Sequence, residues 1–582
     1  MGAAASLAIR VQLAANVWTD ITPDTDASVG LRIRYGIEGN GPTDCVAGTG
    51  ECEFTLKNDA SNSGAQQGYY SPNHASKRSG WTFGIPVQVA FTDANDASKS
   101  VSSITRASQT ATVTTGAAHG YATDDWVTIA GAGEAEYNGV FQITVTGATT
   151  FTYTVGGTPA TPATGTITAR KAHVKHRGKA AVIDPDPGQF RTQRCSVVAY
   201  DGMRDLAEAD AREVALQVNK TETELVSAVL DSLPSTAQPV ARDFDVGVDT
   251  LPYAFDDLGG GVNALSVIHD VCLGSAALYA QKGDGTHILR SRSTRAVGAS
   301  AYTFTNTMHG LSVPSTLDQT YNLIRVKIQP KVVESGANDE LYTLPTGHSV
   351  AIPHGETIEV WTDYTDPNDR QEKIGGANVV TALVGGTHYS AFENAAGTGT
   401  NLTASITAAI NPFASTAKWT FTNNHATLTA YITLQKVLGD AVRSPGPQTF
   451  QSYTAQDYGV RALDLDLRYQ DDANLAQSYA DYIKQQYQTL ANQIGELEIL
   501  ANDSADFMAQ ALAREIGDVI TITEAVTGLA SIEAVIHSVE LEVTPGPWII
   551  CRWGLAPAAP FKAWVLGITG RSEMGETTRV GF

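Results

Sequence analysis

Residues 178–209 read GKAAVIDPDPGQFRTQRCSVVAYDGMRDLAEA. Ala180 and Val182, then Cys195, Val197 and Ala199, recur at a spacing of two, the period of a strand with one buried face. Between the two runs Pro185-Asp186-Pro187-Gly188 supplies turn chemistry. Asp201 follows the second run and is placed to cap a short helix over Met203–Ala209, because a carboxylate there accepts otherwise unpaired backbone N–H groups. The stretch reads as a strand, a wide turn, a second strand and a helix, the last hairpin of a β barrel.

Working outward, Leu31, Ile33 and Tyr35 alternate with Arg32 and Arg34, and Cys52, Phe54 and Leu56 alternate with Glu53, Thr55 and Lys57. Arg32 and Arg34 are read as the solvated or subunit-facing side of their strand rather than as DNA contacts. The chain has 582 residues and 53 glycines, too long for one core and turn-rich enough to favour β structure over about three to five domains. With 61 acidic against 39 basic residues its formal net charge is -22, which argues against a surface that holds nucleic acid. A wall past which a polyanion slides is compatible with that charge. No apolar run reaches the length of about 20 residues that spans a bilayer, and Met1–Leu13 has no basic start followed by an apolar core, so neither an anchor nor a secretion signal is expected.

Candidate chemistry is sparse. Cys45, Cys52, Cys195, Cys272 and Cys551 form no C-x-x-C, which disfavours zinc. His173 and His176 stand three apart, a spacing that points them to opposite faces of a regular strand. His119 reads as a turn corner, and Asp363, Asp366 and Asp369 as turn formers rather than a calcium site or glycosidase pair. Gly259-Gly260-Gly261 lacks the Lys-Ser/Thr or G-x-G-x-x-G context of a phosphate loop. There is no H-E-x-x-H, G-x-S-x-G or Walker motif. No catalytic, cofactor-binding or metal-binding residue is assigned, no cofactor is expected, and the chain is read as not an enzyme.

Four further stretches precede the hairpin: LRIRYG (Leu31–Gly36), ECEFTLKND (Glu51–Asp59), YYSPN (Tyr69–Asn73) and GIPVQVAF (Gly84–Phe91). In that order they resemble the tail hub proteins, or minor tail proteins, of long-tailed phages. The closing strands repeat the resemblance: EIGDVITIT (Glu515–Thr523), SIEAVIHSVELEV (Ser531–Val543), the Thr544–Pro547 turn, WIICRWGLAP (Trp548–Pro557) and the tail after Pro560. Family C-termini often carry His where Glu540 stands here, the histidine lying earlier at His537, so neither is given a role.

The resemblance implies a mainly β chain with a smaller α/β part, two tube-like barrels and two inserted β modules. The expected division is a first barrel from 1–102 and 170–205 with a small module, 103–169, inserted in it; an α/β domain, 206–310; part of a second barrel, 311–333 and 425–470; a sandwich-like insertion, 334–424; a long helix and the closing strands of the second barrel, 471–560; and an extension, 561–582. Helices are expected at Thr221–Leu233, with a Thr221/Glu224 capping box, at Val262–Cys272 and at Asp471–Thr489. The implied role is a virion component made in the host bacterial cytoplasm: a homotrimeric, pseudo-sixfold ring at the distal tail tip that joins the tail tube to tip or fibres and closes, then opens, the DNA ejection channel. Implied partners are distal tail or tube proteins, the tape measure protein, and fibres or receptor-binding proteins. Genomic DNA passes only in transit, and host surface glycan is a possible ligand of the inserted modules. A reducing cytoplasm favours free thiols over a Cys45–Cys52 bridge, and the cysteine spacing does not supply the iron–sulfur ligands found in some tail tips. A sugar-binding adhesin and a cell-wall hydrolase are the alternatives, though no segment is left over for a hydrolase domain.

Overall fold

The computed structural model describes residues 4–15, 17–188, 192–256, 258, 261–295, 299–314, 317–333, 339–488, 494–546 and 548–558. The expected extension at 561–582 and Gly259-Gly260 lie outside them. Strand dominates over helix, so the chain is mainly β.

Strand β1 (Ala5–Ala14) is followed by β2 (Leu31–Gly36), β3 (Glu51–Lys57) and β4 (Pro86–Asp93). The longest strand, β5 (Gly165–Asp186), pairs with β4 and then with β6 (Arg194–Asp201), forming the hairpin expected around Pro185–Gly188. Asp201 caps α1 (Gly202–Glu208) by accepting the Met203 N–H at 3.1 Å. Helix α2 (Glu222–Ser232) carries the expected capping box, and α3 (Ala264–Ser275) begins at Asn263, whose side chain accepts the Ser266 N–H.

Between β4 and the second half of β5, strands at Lys99–Ala107, Thr110–Thr115, Trp126–Ala132 and Thr150–Thr154 close over their own apolar cluster around Val113, Val127, Ile129, Tyr137 and Phe151. The stretch Gly139–Gly147 forms two strands, Gly139–Gln142 and Thr144–Gly147, broken at the buried Ile143. The first residues of β5 belong to this module and its later residues to the main sheet, so one strand runs through both.

Beyond α3 the sequence expectation needs correction. Strand β7 (Leu323–Ile328) was expected to open a second barrel continuous with the C-terminal strands. It pairs instead with β10 (Gln448–Tyr453) and β11 (Ala462–Leu467), in a separate three-stranded sheet covered by α4 (Ala473–Tyr487). The cause is visible in the pattern: Ile324, Val326 and Ile328 meet Tyr479, Ala480 and Ile483 on one side, which leaves β7 no apolar face for a second sheet. Strand β8 (Ile406–Pro412) pairs with Thr416–Asn423 inside the insertion. Strand β9 (Ala430–Arg443), expected to return to the barrel, pairs with Val332–Val333 and with four short strands of the insertion, and shares its core with Leu341, Tyr364 and Trp419.

The C-terminal strands are β12 (Glu496–Leu500), β13 (Val519–Glu524), β14 (Leu529–Thr544) and β15 (Trp548–Pro557), with α5 (Ala505–Ala513) between β12 and β13. They join the N-terminal strands directly: β2 pairs with β3 on one side and with β14 on the other, from Leu31 opposite Val543 to Gly36 opposite Ser538. Strands from the two ends of the sequence thus make one sheet over one apolar core, which also takes in α1, α2, α3 and α5. Residues 303–304 and 310, grouped by sequence with the α/β part, and 311–312, grouped with the second barrel, add to this sheet through β13 and β12. Among the described residues no series of pairings returns to its first strand, so the sheet is open where closed barrels were expected.

Candidate functional site

The pairing of β2 with β14 sets up a face that neither set of strands has alone. Across five strands the registers place Glu51 opposite Arg34, Arg34 opposite Glu540, Glu540 opposite Arg552, and Arg552 opposite Glu498. Charge alternates in sign along the row. Beside it Glu53 faces Arg32 and Arg32 faces Glu542. One residue along each strand, on the opposite face, Cys52, Ile33, Leu541, Cys551 and Ile499 form a fully buried apolar row in the same register. Period-two alternation therefore builds both faces at once.

The ion pairs are close. Arg552 reaches Glu498 at 2.6 Å, Glu540 at 2.8 Å and Glu542 at 3.1 Å, and Arg32 reaches Glu540 at 3.0 Å. Arg34 pairs with Glu38 at 3.0 Å and Glu51 at 3.7 Å. Partial burial pushes the Glu540 carboxyl up, but hydrogen bonds and charge from Arg32 and Arg552 outweigh it and hold the group below the usual carboxylate range. Burial alone would lower Arg552, yet its three carboxylate partners raise it. The face sets carboxylates at 51, 53, 496, 498, 540 and 542 against guanidiniums at 32, 34 and 552. A cleft of about 320 Å³ opens on it between Arg34, Glu38, Glu496, Glu540 and Arg552. Its chemistry is that of a satisfied, net acidic wall, with each guanidinium already paired to carboxylates of this chain.

Behind this wall the two chain ends are pinned by a buried cation. The Lys175 side chain is 0% exposed and donates to Glu515 at 2.7 Å and to the Arg514 carbonyl at 2.8 Å. Glu515 also accepts the Tyr35 hydroxyl at 2.9 Å and the Gly283 N–H at 3.4 Å. Burial first, then the neighbouring Glu515 charge, raises the Tyr35 phenol well above its ordinary value. A side chain at 283 would meet the Lys175 backbone at 2.8–2.9 Å, which explains glycine in the Lys282–Gly285 turn. Sequence reading missed this junction. No local signal marks it, because Lys175 stands among Lys171, His173, His176, Arg177 and Lys179 in the same strand.

The other candidates resolve locally. Arg32 and Arg34 lie on the charged face, as solvated-side residues of β2. A bulge between Val174 and His176 breaks the alternation on which the His173/His176 argument rested. His173 stands 3.7 Å from Asp96, while His176 is buried and its pKa is lowered by burial to about 3. His119 is held between the Gly147 carbonyl at 3.0 Å and the Tyr121 N–H at 3.0 Å, stacked on Tyr121. Asp366 accepts the Asn368 N–H and pairs with Arg443 at 2.7 Å, and Asp369 accepts the Gln371 N–H, as turn formers do, whereas Asp363 ends a strand opposite Thr416 and lies 3.8 Å from Lys373. His537 is buried at the cleft between residues 40–42 and α4, and burial lowers its pKa to about 3. All five cysteines are buried free thiols. Among the described residues no group of three or more His, Cys, Asp or Glu side chains is placed to hold a metal ion, and no helix is long and apolar enough to cross a membrane.

No family model and no curated protein matches this sequence. Among solved structures, the chain is similar to the 43 kDa tail protein of prophage MuSo2 from Shewanella oneidensis, at 8% identity and a TM-score of 0.42, covering 95% of this chain and 99% of that one. A tail protein from Neisseria meningitidis aligns at 7% identity and a TM-score of 0.43 over 95% and 96% of the two chains. A prophage tail protein from Listeria monocytogenes aligns at 8% identity and a TM-score of 0.37 over 94% of each. At these identities and scores the likenesses carry no functional inference by themselves.

Proposed function

We propose that this chain is a structural protein of a phage-type tail, a hub whose copies form a ring at the distal tip, join the tube to the tip or fibres, and enclose the passage through which DNA leaves. The observation that carries the reading is the union of β2–β6 with β12–β15 in one sheet, because those are the two stretches whose motifs resemble the hub family. A hub needs a rigid wall built from both ends of the chain, and the Lys175–Glu515 junction and the shared core supply it. The charged row from Glu51 to Glu498 is assigned to the passage: net acidic and internally paired, it leaves few free cations to hold phosphate while DNA moves past.

The role is mechanical rather than catalytic. Homotrimerisation with pseudo-sixfold symmetry, stacking on distal tail or tube proteins, contact with the tape measure protein and attachment of fibres belong to the same proposal. Immunogold labelling of particles with antibody to this chain tests it. Label confined to one tail end supports a tip hub; label on the capsid, along the whole tail, or absent from particles refutes it.

A further inference from the structure

The edges of the smaller sheets differ in how they are guarded against pairing with another chain. Among the described residues, four strands of six residues or more pair on one side only: Thr357–Asp363, β8, β10 and β11. Thr357–Asp363 carries Glu359 and Asp363, and β11 carries Asp464 and Asp466. Charges of this kind are the usual protection of an exposed edge. Strands β8, ITAAINP, and β10, QTFQSY, carry no charge, and the one proline, Pro412, stands at the last position of β8 and leaves the edge from Ile406 to Asn411 open. Each runs in unbroken register against its one partner, so neither has a bulge to twist the edge away.

The two unguarded strands also match each other. In β8, Thr407, Ala409 and Asn411 are exposed and Ile406, Ala408 and Ile410 are more buried; in β10, Thr449, Gln451 and Tyr453 are exposed while Phe450 and Ser452 lie toward α4. Side by side, the strands would put apolar groups on one face and uncharged polar groups on the other, and their lengths are seven and six residues. Each edge carries one long side-chain contact from its own chain, Tyr389 hydroxyl to the Ile406 carbonyl and Gln477 amide to the Gln451 carbonyl, both 3.4 Å.

We infer that β10 of one copy pairs with β8 of the next copy, joining the two small sheets across a subunit boundary by main-chain hydrogen bonds. The contact is heterologous, since different patches meet, and a heterologous contact whose rotation closes makes a ring. The inference rests on the edges themselves and supplies a self-contact for the hub reading.

Because the five native thiols are buried, an introduced surface cysteine is the reactive one. The full chain carrying Gln451→Cys and Ala409→Cys together is treated with a flexible bis-maleimide, beside each single variant, with thermal unfolding as the fold control. The inference expects the double variant to give covalent multimers beyond the dimer and the single variants to give only the background of the parent chain. Dimers from Gln451→Cys alone or Ala409→Cys alone would show like strands pairing with like and overturn it, as would a folded double variant that stays at background. A ring seen by imaging without the 451–409 link would refute this contact while leaving the hub reading intact.

Discussion

Lys175 shows how much one buried charge is asked to do here. Its ammonium has no access to water and is compensated by Glu515 and the Arg514 carbonyl, so removing the carboxylate leaves a cation buried beside a dipole alone. Glu515→Ala is expected to lower unfolding free energy by roughly 3–5 kcal/mol, and Glu515→Gln by less, since its amide oxygen still accepts; urea unfolding checks both. His176 is a second buried group with a defined sign. Its folded pKa, about 3, lies below the ordinary 6.5, so the folded chain holds it neutral. That contribution is present above pH 6.5 and is lost as pH falls toward 3, at roughly 1.4 kcal/mol per pH unit. His176→Phe is therefore expected to lose less stability than the parent between pH 6.5 and 4, each referred to its own value at pH 7.5. Parallel curves would show that the histidine does not titrate in that window. Asp201 carries the opposite sign, since burial raises it to about 7 and its contribution fades as pH rises through that value.

At the scale of elements, the five-strand charged row separates shielded from exposed ion pairs. Arg552 is 24% exposed and meets three carboxylates, whereas Arg34 is 44% exposed and meets two. Arg552→Gln leaves three acids adjacent and is expected to cost roughly 1–3 kcal/mol, more at low salt, whereas Arg34→Gln should cost about 0–1 kcal/mol. Equal losses would mean the row is not a connected network. The local signals of elements were legible in the chain: the Asp201 cap, the Thr221/Glu224 box and the Trp548–Pro557 strand occur where turn, cap and period-two patterns put them. Helix α5 was equally legible and was missed, since Ser504 caps a stripe of Phe507, Met508, Ala511 and Leu512. What the pattern does not encode is the partner of a strand. The alternation of β7 and of β9 is that of any half-buried strand, so nothing local says that β7 packs under α4 or that β9 gathers the insertion's short strands. The charged row is legible only once the β2–β14 register is known, because its members come from five separate stretches.

For the whole molecule, the core decides which parts are autonomous. The module between β4 and the second half of β5 has its own apolar cluster, including Ile104, Val113, Phe151 and Ala169, and touches the main sheet through a small patch at Ala90, Val140, Ala172 and Val174. A fragment spanning 99–172 is expected to unfold cooperatively by itself; a non-cooperative, dye-binding state would contradict that reading. Strands β2–β6 have no such independence, because their cluster is completed by Leu541, Cys551 and Trp553. The central claim is that both ends of the chain build one wall and that copies of it surround a passage. Electron cryo-microscopy of the assembled full-length chain, or of the particle that contains it, measures this most directly. The expected result is a ring with an axial opening or plug, with Arg34, Glu540 and Arg552 turned toward the axis. A ring in which that row faces outward, or an assembly in which β2 and β14 lie apart, would contradict it.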